Sequence, residues 1–220
     1  MNRRAPFLAL ALTLVLSACA GRPPAPSEAR LDSQRIHLDL VRGMMTQGQY
    51  YAALAHIQEQ RVRGFDTHDL RLLEAEALRK LKRAPESERI YRQLLATALA
   101  AEAYHGLGLL YAERDLNQSI ANLRKAVQKR PASATMRNDL GYALMLAGRY
   151  PEALPELATG AELAPDQMQN TNNLIMLLVL MKDETSVSRV SAEAGIRKDR
   201  LLELRQQAQA LRSTPPTKRS

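Results

Sequence analysis

The sequence predicts an all-α fold, a stack of helical hairpins, and three observations carry that reading. Tyr, Phe and Trp make up only 4% of the 220 residues, Ala and Leu abound, and runs of β-branched residues are nearly absent, which weighs against sheets. Hydrophobic residues at 45% are ample for a core, so disorder over most of the chain is not expected. The segment Leu107-Gly108-Leu109-Leu110-Tyr111 returns 33 residues later as Leu140-Gly141-Tyr142-Ala143-Leu144, a spacing that marks a tandem repeat of small structural units.

The N-terminus has to be set aside before the fold is read. Met1-Asn2-Arg3-Arg4 is a short positive segment, and Phe7 to Leu16 is apolar but too short to span, as a helix, a bilayer of roughly 30 Å. It closes on Leu16-Ser17-Ala18-Cys19, which resembles the lipobox of bacterial lipoproteins, where the bond before the Cys is cut and the Cys is acylated. The resemblance implies a signal peptide over residues 1–18 and a lipid anchor at Cys19. Because Ala20 is not the Asp associated with inner-membrane retention, it also implies the periplasmic face of the outer membrane. Cys19 is the only cysteine, so an intrachain disulfide, a cysteine metal cluster and a redox pair are all excluded.

Gly21-Arg22-Pro23-Pro24-Ala25-Pro26-Ser27 follows, and its three prolines lack amide donors and force extended geometry on their predecessors. Residues 19–30 are therefore expected to be a lipidated, proline-rich tether, reaching about 20 Å at roughly 3 Å per residue. The formal charge of +8 includes Arg3 and Arg4, which leave with the leader, and no run of five basic residues remains. With export expected as well, a nucleic-acid partner is excluded, and anionic phospholipid headgroups account for the basic balance more economically.

The repeat register of Gly108 and Gly141 extends to Ala75 and Val41 on one side and to Ile175 on the other. First helices are expected near 31–46, 67–81, 101–113, 133–147 and 167–181, with partners near 50–62, 84–98, 116–129, 151–163 and 184–194. Pro85 and Pro151 fall at the starts of second helices, where a missing amide donor costs little. Pro155 falls one turn inside and is expected to bend its helix. In the fifth unit Val187 stands at the small second-helix position, and Ser186, Ser188 and Ser191 dilute the apolar face. An amphipathic stretch over 198–212, with Leu201, Leu202, Leu204 and Leu211, reads as a polar-backed cap on an array spanning 31–197, and residues 213–220 as a flexible tail.

These spacings and residues resemble the tetratricopeptide repeat, a pair of antiparallel helices of about 34 residues. The unit from Thr135 to Asp166 carries the pattern best, in Leu140, Gly141, Gly148, Tyr150, Ala153, Leu157 and Pro165. The unit before it keeps Tyr104, Leu107, Gly108, Tyr111, Leu123, Ala126 and Pro131, with Ser119 where Ala belongs. Gly108, Gly141 and Ala153 are read as packing residues that let the two helices of a unit approach closely, while Leu144 and Leu157 fill the space beside them.

No catalytic constellation is present. His37, His56, His68 and His105 stand in different helices or turns, none with a second ligand at a metal-helix spacing, so neither metal nor cofactor is expected. Gly106-Leu107-Gly108 lacks the next glycine and the preceding strand of a nucleotide loop, and no nucleophile elbow or P-loop occurs, which leaves no small-molecule substrate to propose. What remains is a surface. The repeat resemblance implies a concave groove lined by first helices, with Arg42, Glu76, Arg79, His105, Asn138, Asp139, Tyr142, Asn172, Asn173 and Met176 at inward positions. Side-chain amides at Asn138, Asn172 and Asn173 suit the backbone of an extended peptide. The same residue types equally well cap helices or face water.

A lipobox, a short proline tether and five such units, one reading N-D-L-G-Y-A-L-M-L-A-G-R-Y-P-E-A-L-P-E-L, together resemble the TadD family of tight-adherence (Flp) pilus assembly lipoproteins. That resemblance implies a non-enzymatic, pilotin-like role toward an outer-membrane secretin or another pilus assembly component. A type IV pilus pilotin, or a scaffold lipoprotein of another envelope machine, is the alternative.

Overall fold

The computed structural model describes residues 28–213. The expected signal peptide, the Cys19 anchor, most of the tether and the tail beyond Ser213 lie outside the described residues. Those described form eleven helices and no strand: α1 (Glu28–Thr46), α2 (Tyr50–Val62), α3 (His68–Lys80), α4 (Ala84–Leu94), α5 (Ala100–Tyr111), α6 (Leu116–Lys129), α7 (Ala134–Leu146), α8 (Tyr150–Leu163), α9 (Met168–Met181), α10 (Glu184–Glu193) and α11 (Lys198–Ser213). Residues 28–30, assigned to the tether by the sequence, already belong to α1.

Local chemistry sets most of these bounds. Thr67, Asp115, Ser133 and Asp183 each accept an amide of the first turn at the start of α3, α6, α7 and α10. Pro85 and Pro151 lie in the first turns of α4 and α8. The turns after α1 and α7 need left-handed backbone, which Gly48 (φ +73°) and Gly148 (φ +71°) supply without a Cβ penalty. Gln49 N–H then donates to the Met44 carbonyl and Arg149 N–H to that of Leu144, both at 2.9 Å, closing the two helix ends alike.

α4 ends at Leu94, short of the expected residue 98. Thr97 explains the difference: its hydroxyl donates to the Leu94 carbonyl at 2.8 Å and accepts the Leu99 amide at 3.1 Å, offering the backbone partners outside the helix. α8 runs on through Pro155 to Leu163. Pro151 and Pro155 share its exposed face, where water can serve the carbonyl that Pro155 leaves without a donor.

The helices pair as α1 with α2, α3 with α4, α5 with α6, α7 with α8 and α9 with α10, and each second helix also touches the next first helix. This is a tetratricopeptide-like solenoid of five hairpins, with first helices in mutual contact along one side. The small residues of the repeat sit at its closest approaches. A Cβ placed on Gly141 would lie 2.6 Å from Leu157 Cγ, and one on Gly108 would lie 2.5 Å from Leu123 Cγ. Ala153 and Leu157 are fully buried. Ser87, at the position Ala153 holds in its own unit, donates to the Ala75 carbonyl at 2.8 Å and ties α4 to α3.

Gly106 performs a packing task that the sequence did not show. A Cβ there would run into the ring of Tyr91, a fully buried residue of the preceding unit, so this glycine admits a large aromatic between units. α11 departs from the repeat. Every first helix after α1 packs on the preceding second helix, whereas α11 packs chiefly on α9 through the buried pair Leu204 and Ala208. Enclosed by α7, α8, α10 and α11, α9 is buried continuously from Asn170 to Leu178.

Candidate functional site: the face of the first helices

The inward register positions of successive first helices form a connected polar row. His105 on α5 donates from Nε2 to Asp139 Oδ2 on α7 at 2.7 Å. Asn138, beside it, donates from Nδ2 to Asp139 Oδ1 at 3.3 Å and accepts on Oδ1 from Asn173 Nδ2 of α9 at 2.9 Å. Asn173 Oδ1 in turn accepts from Gln169 Nε2 at 3.0 Å. Three first helices are thus joined side chain to side chain. At about 0.5–1.5 kcal/mol net per bond, the row contributes modestly to cohesion, but breaking it inside a buried environment costs more than making it gains.

This geometry corrects part of the sequence reading. Asn138, Asn172, Asn173 and Met176 are all buried, and the amides of Asn138 and Asn173 are committed to each other, so they do not lie open to a peptide backbone. The cause is the close approach of α7 to α9 and the seat of α11 on α9, neither of which is written in the repeat period. Asn172 keeps a buried Oδ1 with no hydrogen-bond partner among the described residues. His105, Asp139 and Tyr142 remain partly accessible, and Arg42 is exposed and ion-paired with Asp39 at 2.9 Å.

Removing one member of the row should therefore act on stability first. Asn173→Ala leaves Asn138 Oδ1 without its inter-helix donor and is expected to cost about 1–3 kcal/mol in urea unfolding. The double variant with Asn138→Ala should cost less than the sum, with a coupling of about 0.5–3 kcal/mol. Strict additivity would show that the two amides do not act together.

Glu76, at the inward position of α3, is partly buried, and burial pushes its carboxyl above the ordinary value of 4.5 against the pull of Arg79, His105, Lys80 and Arg42. A carboxyl raised in the folded state favours the fold while protonated. That contribution is complete below about pH 4.5 and is lost as pH rises through the raised value. Glu76→Gln is accordingly expected to be more stable than the parent at pH 7 and equal to it near pH 4, as read from chemical denaturation at the two pH values.

Among the described residues no group of three or more His, Cys, Asp or Glu side chains is placed to hold a metal, and no helix is long and apolar enough to cross a membrane. The histidines are nevertheless not unrelated, as their sequence spacing implied. His105 is bonded to Asp139, and His37 on α1 meets His56 on α2 at 3.2 Å.

A tetratricopeptide-repeat family model matches residues 110–172. The TPR repeat-containing protein PA4299 of Pseudomonas aeruginosa is 33% identical over 182 residues, which cover 80% of this chain and 73% of that protein. Among solved structures, the PilF protein of Pseudomonas aeruginosa superposes with a TM-score of 0.67 at 16% identity, over 84% of this chain and 86% of that one. TTC0263, a thermophilic TPR protein of Thermus thermophilus, superposes with a TM-score of 0.62 at 20% identity, over 82% of this chain and 100% of that one. At such identities these likenesses speak for the fold alone.

Proposed function

This chain belongs to the tetratricopeptide-repeat proteins, and on that premise we propose that it is a non-enzymatic, lipid-anchored scaffold that presents its concave face to a protein partner of a pilus machine. The observation that carries the reading is the polar row across α5, α7 and α9. Its buried amides tie α7 to α9 and the His105–Asp139 bond ties α5 to α7, while His105, Asp139 and Tyr142 keep accessible edges. A surface rigid before binding loses little conformational entropy on association, and an aromatic set among hydrogen-bonding groups is the composition of a binding hot spot. Partner contacts are assigned to that accessible edge, together with Arg42, and the buried Asn138 and Asn173 serve as its support.

The finer assignment rests on the sequence. Leu16-Ser17-Ala18-Cys19 supports acylation at Cys19, and Ala20 supports the periplasmic face of the outer membrane. Several acyl chains, at about 0.8 kcal/mol per buried methylene, hold a protein at a membrane where a single chain does so only marginally. The resemblance to tight-adherence (Flp) pilus assembly lipoproteins supports a pilotin-like role toward the outer-membrane secretin or another assembly component.

The test is capture of the lipidated protein from detergent-solubilised envelopes, followed by identification of what accompanies it. A secretin or other pilus assembly protein is expected, with Cys19→Ser releasing the protein from the membrane fraction. Wild-type protein found wholly in the soluble periplasmic fraction, or recovered with no envelope partner, contradicts the proposal.

A further inference from the structure

Outside the polar row, the first unit holds a pair of side chains with a chemistry of its own. His37 projects from the middle of α1 and His56 from α2, and both are partly accessible to solvent. His37 Nδ1 lies 3.2 Å from His56 Nε2, the ring centroids are 5.2 Å apart and the ring planes are tilted by 44°. Two imidazole nitrogens at that distance either share one proton or direct two lone pairs toward one point.

We propose that His37 and His56 form a two-imidazole site for a divalent transition ion of the zinc, copper and nickel class, bridging α1 and α2. At metal–nitrogen distances of about 2.0–2.1 Å, two imidazoles on a tetrahedral ion hold their nitrogens about 3.3–3.4 Å apart, within a few tenths of an ångström of the separation found here. The centroid separation is shorter than collinear rings at this nitrogen distance would show, so the two rings meet at an angle or an offset and not end to end. A shared ion requires a departure from that end-to-end arrangement, which would leave no room for it between the nitrogens. Neutral imidazole selects borderline ions over calcium and magnesium, which prefer oxygen donors.

The surroundings fit an open two-ligand site. No third His, Cys, Asp or Glu completes a metal cluster among the described residues, so water fills the remaining positions, and the partial exposure of both rings admits it. Phe65, in the loop after α2, lies 6.2 Å from the His37 ring between centroids. The consequence is mechanical. The first unit has the smallest of the three apolar clusters, built on Val41, Ala53, Ile57, Leu70 and Leu73, and it has no unit before it to pack against among the described residues. An ion shared by His37 and His56 would tie α1 to α2 at the end of the array with the least apolar burial.

The experiment uses the full chain carrying Cys19→Ser, which removes the one thiol that would compete for the ion. Copper(II) is titrated with detection by electron paramagnetic resonance, and zinc by calorimetry. One equivalent of ion is expected, with splitting from two nitrogen ligands. His37→Gln and His56→Gln should each weaken binding at least tenfold without changing helicity, while His68→Gln, at an exposed position on α3, should leave it unchanged. The copper spectrum of the parent counts nitrogens whether or not a variant folds. Fewer than two nitrogen ligands in that spectrum, no bound ion, or loss of binding on His105→Gln in place of His37→Gln overturns the proposal and leaves the pair a hydrogen bond.

Discussion

Leu157→Ala is expected to destabilise the protein by about 2–5 kcal/mol, the range for deleting a fully buried leucine that leaves a cavity. Leu157 has no exposed surface and belongs to the largest apolar cluster, which joins α7 and α8 to α6, α9, α10 and α11 through Leu144, Leu123, Ile175, Val187 and Leu204. The neighbours cannot collapse freely into the space it vacates. Gly141 contributes no side chain to fill it, and the helices are already close there, since a Cβ on Gly141 would lie 3.1 Å from the Leu157 amide nitrogen. Because an array communicates through nearest-neighbour interfaces, the loss should spread to the units on both sides and lower the thermal midpoint by several degrees. Amide exchange should quicken most in α7, α8 and α9.

The opposite error at the same contact, Gly141→Leu, is expected to cost about 1–3 kcal/mol through overpacking, and more if the helices cannot separate. Its Cβ alone would meet Leu157 Cγ at 2.6 Å and Leu157 Cδ2 at 2.8 Å, which a rotamer change could relieve. It would also meet the Leu157 amide nitrogen at 3.1 Å, which no side-chain motion relieves, so α7 and α8 must part. The two sites are therefore coupled. Gly141→Ala combined with Leu157→Ala should be more stable than the sum of the single changes predicts, because the added methyl enters space the leucine gave up. A Gly141→Leu protein that melts with the parent would show that the fourth hairpin packs in a different register.

The hairpins could be read from the sequence because each is specified locally. Gly148 turns the chain and Pro151 lies in the first turn of its helix, each acting within a few residues of its own position, while Gly141 and Ala153 allow close approach between the two helices of a single hairpin. What the sequence hid depends on how one helix sits on another, within a unit or between units. Tyr91 seated against Gly106, Asn138 bonded to Asn173, His37 against His56, and α11 laid on α9 join residues or elements from separate helices. A repeat period fixes which face of a helix points inward. It does not fix whether an inward amide meets a ligand or the amide of the next helix, and for Asn138 and Asn173 it is the latter. Likewise Thr97 stopped α4 through its own hydroxyl bonds, a competition that helical periodicity does not register.

The central claim, that the face of the first helices holds a protein partner, is tested most directly by placing a photo-reactive phenylalanine derivative at one of two tyrosines in cells. Tyr142 is a partly accessible residue of α7 beside the polar row, and Tyr51 is 75% exposed on α2, a second helix. Irradiation should link Tyr142-substituted protein to an envelope protein and leave Tyr51-substituted protein unlinked. An adduct formed from position 51 and none from position 142 would place the partner on the second helices and contradict the account.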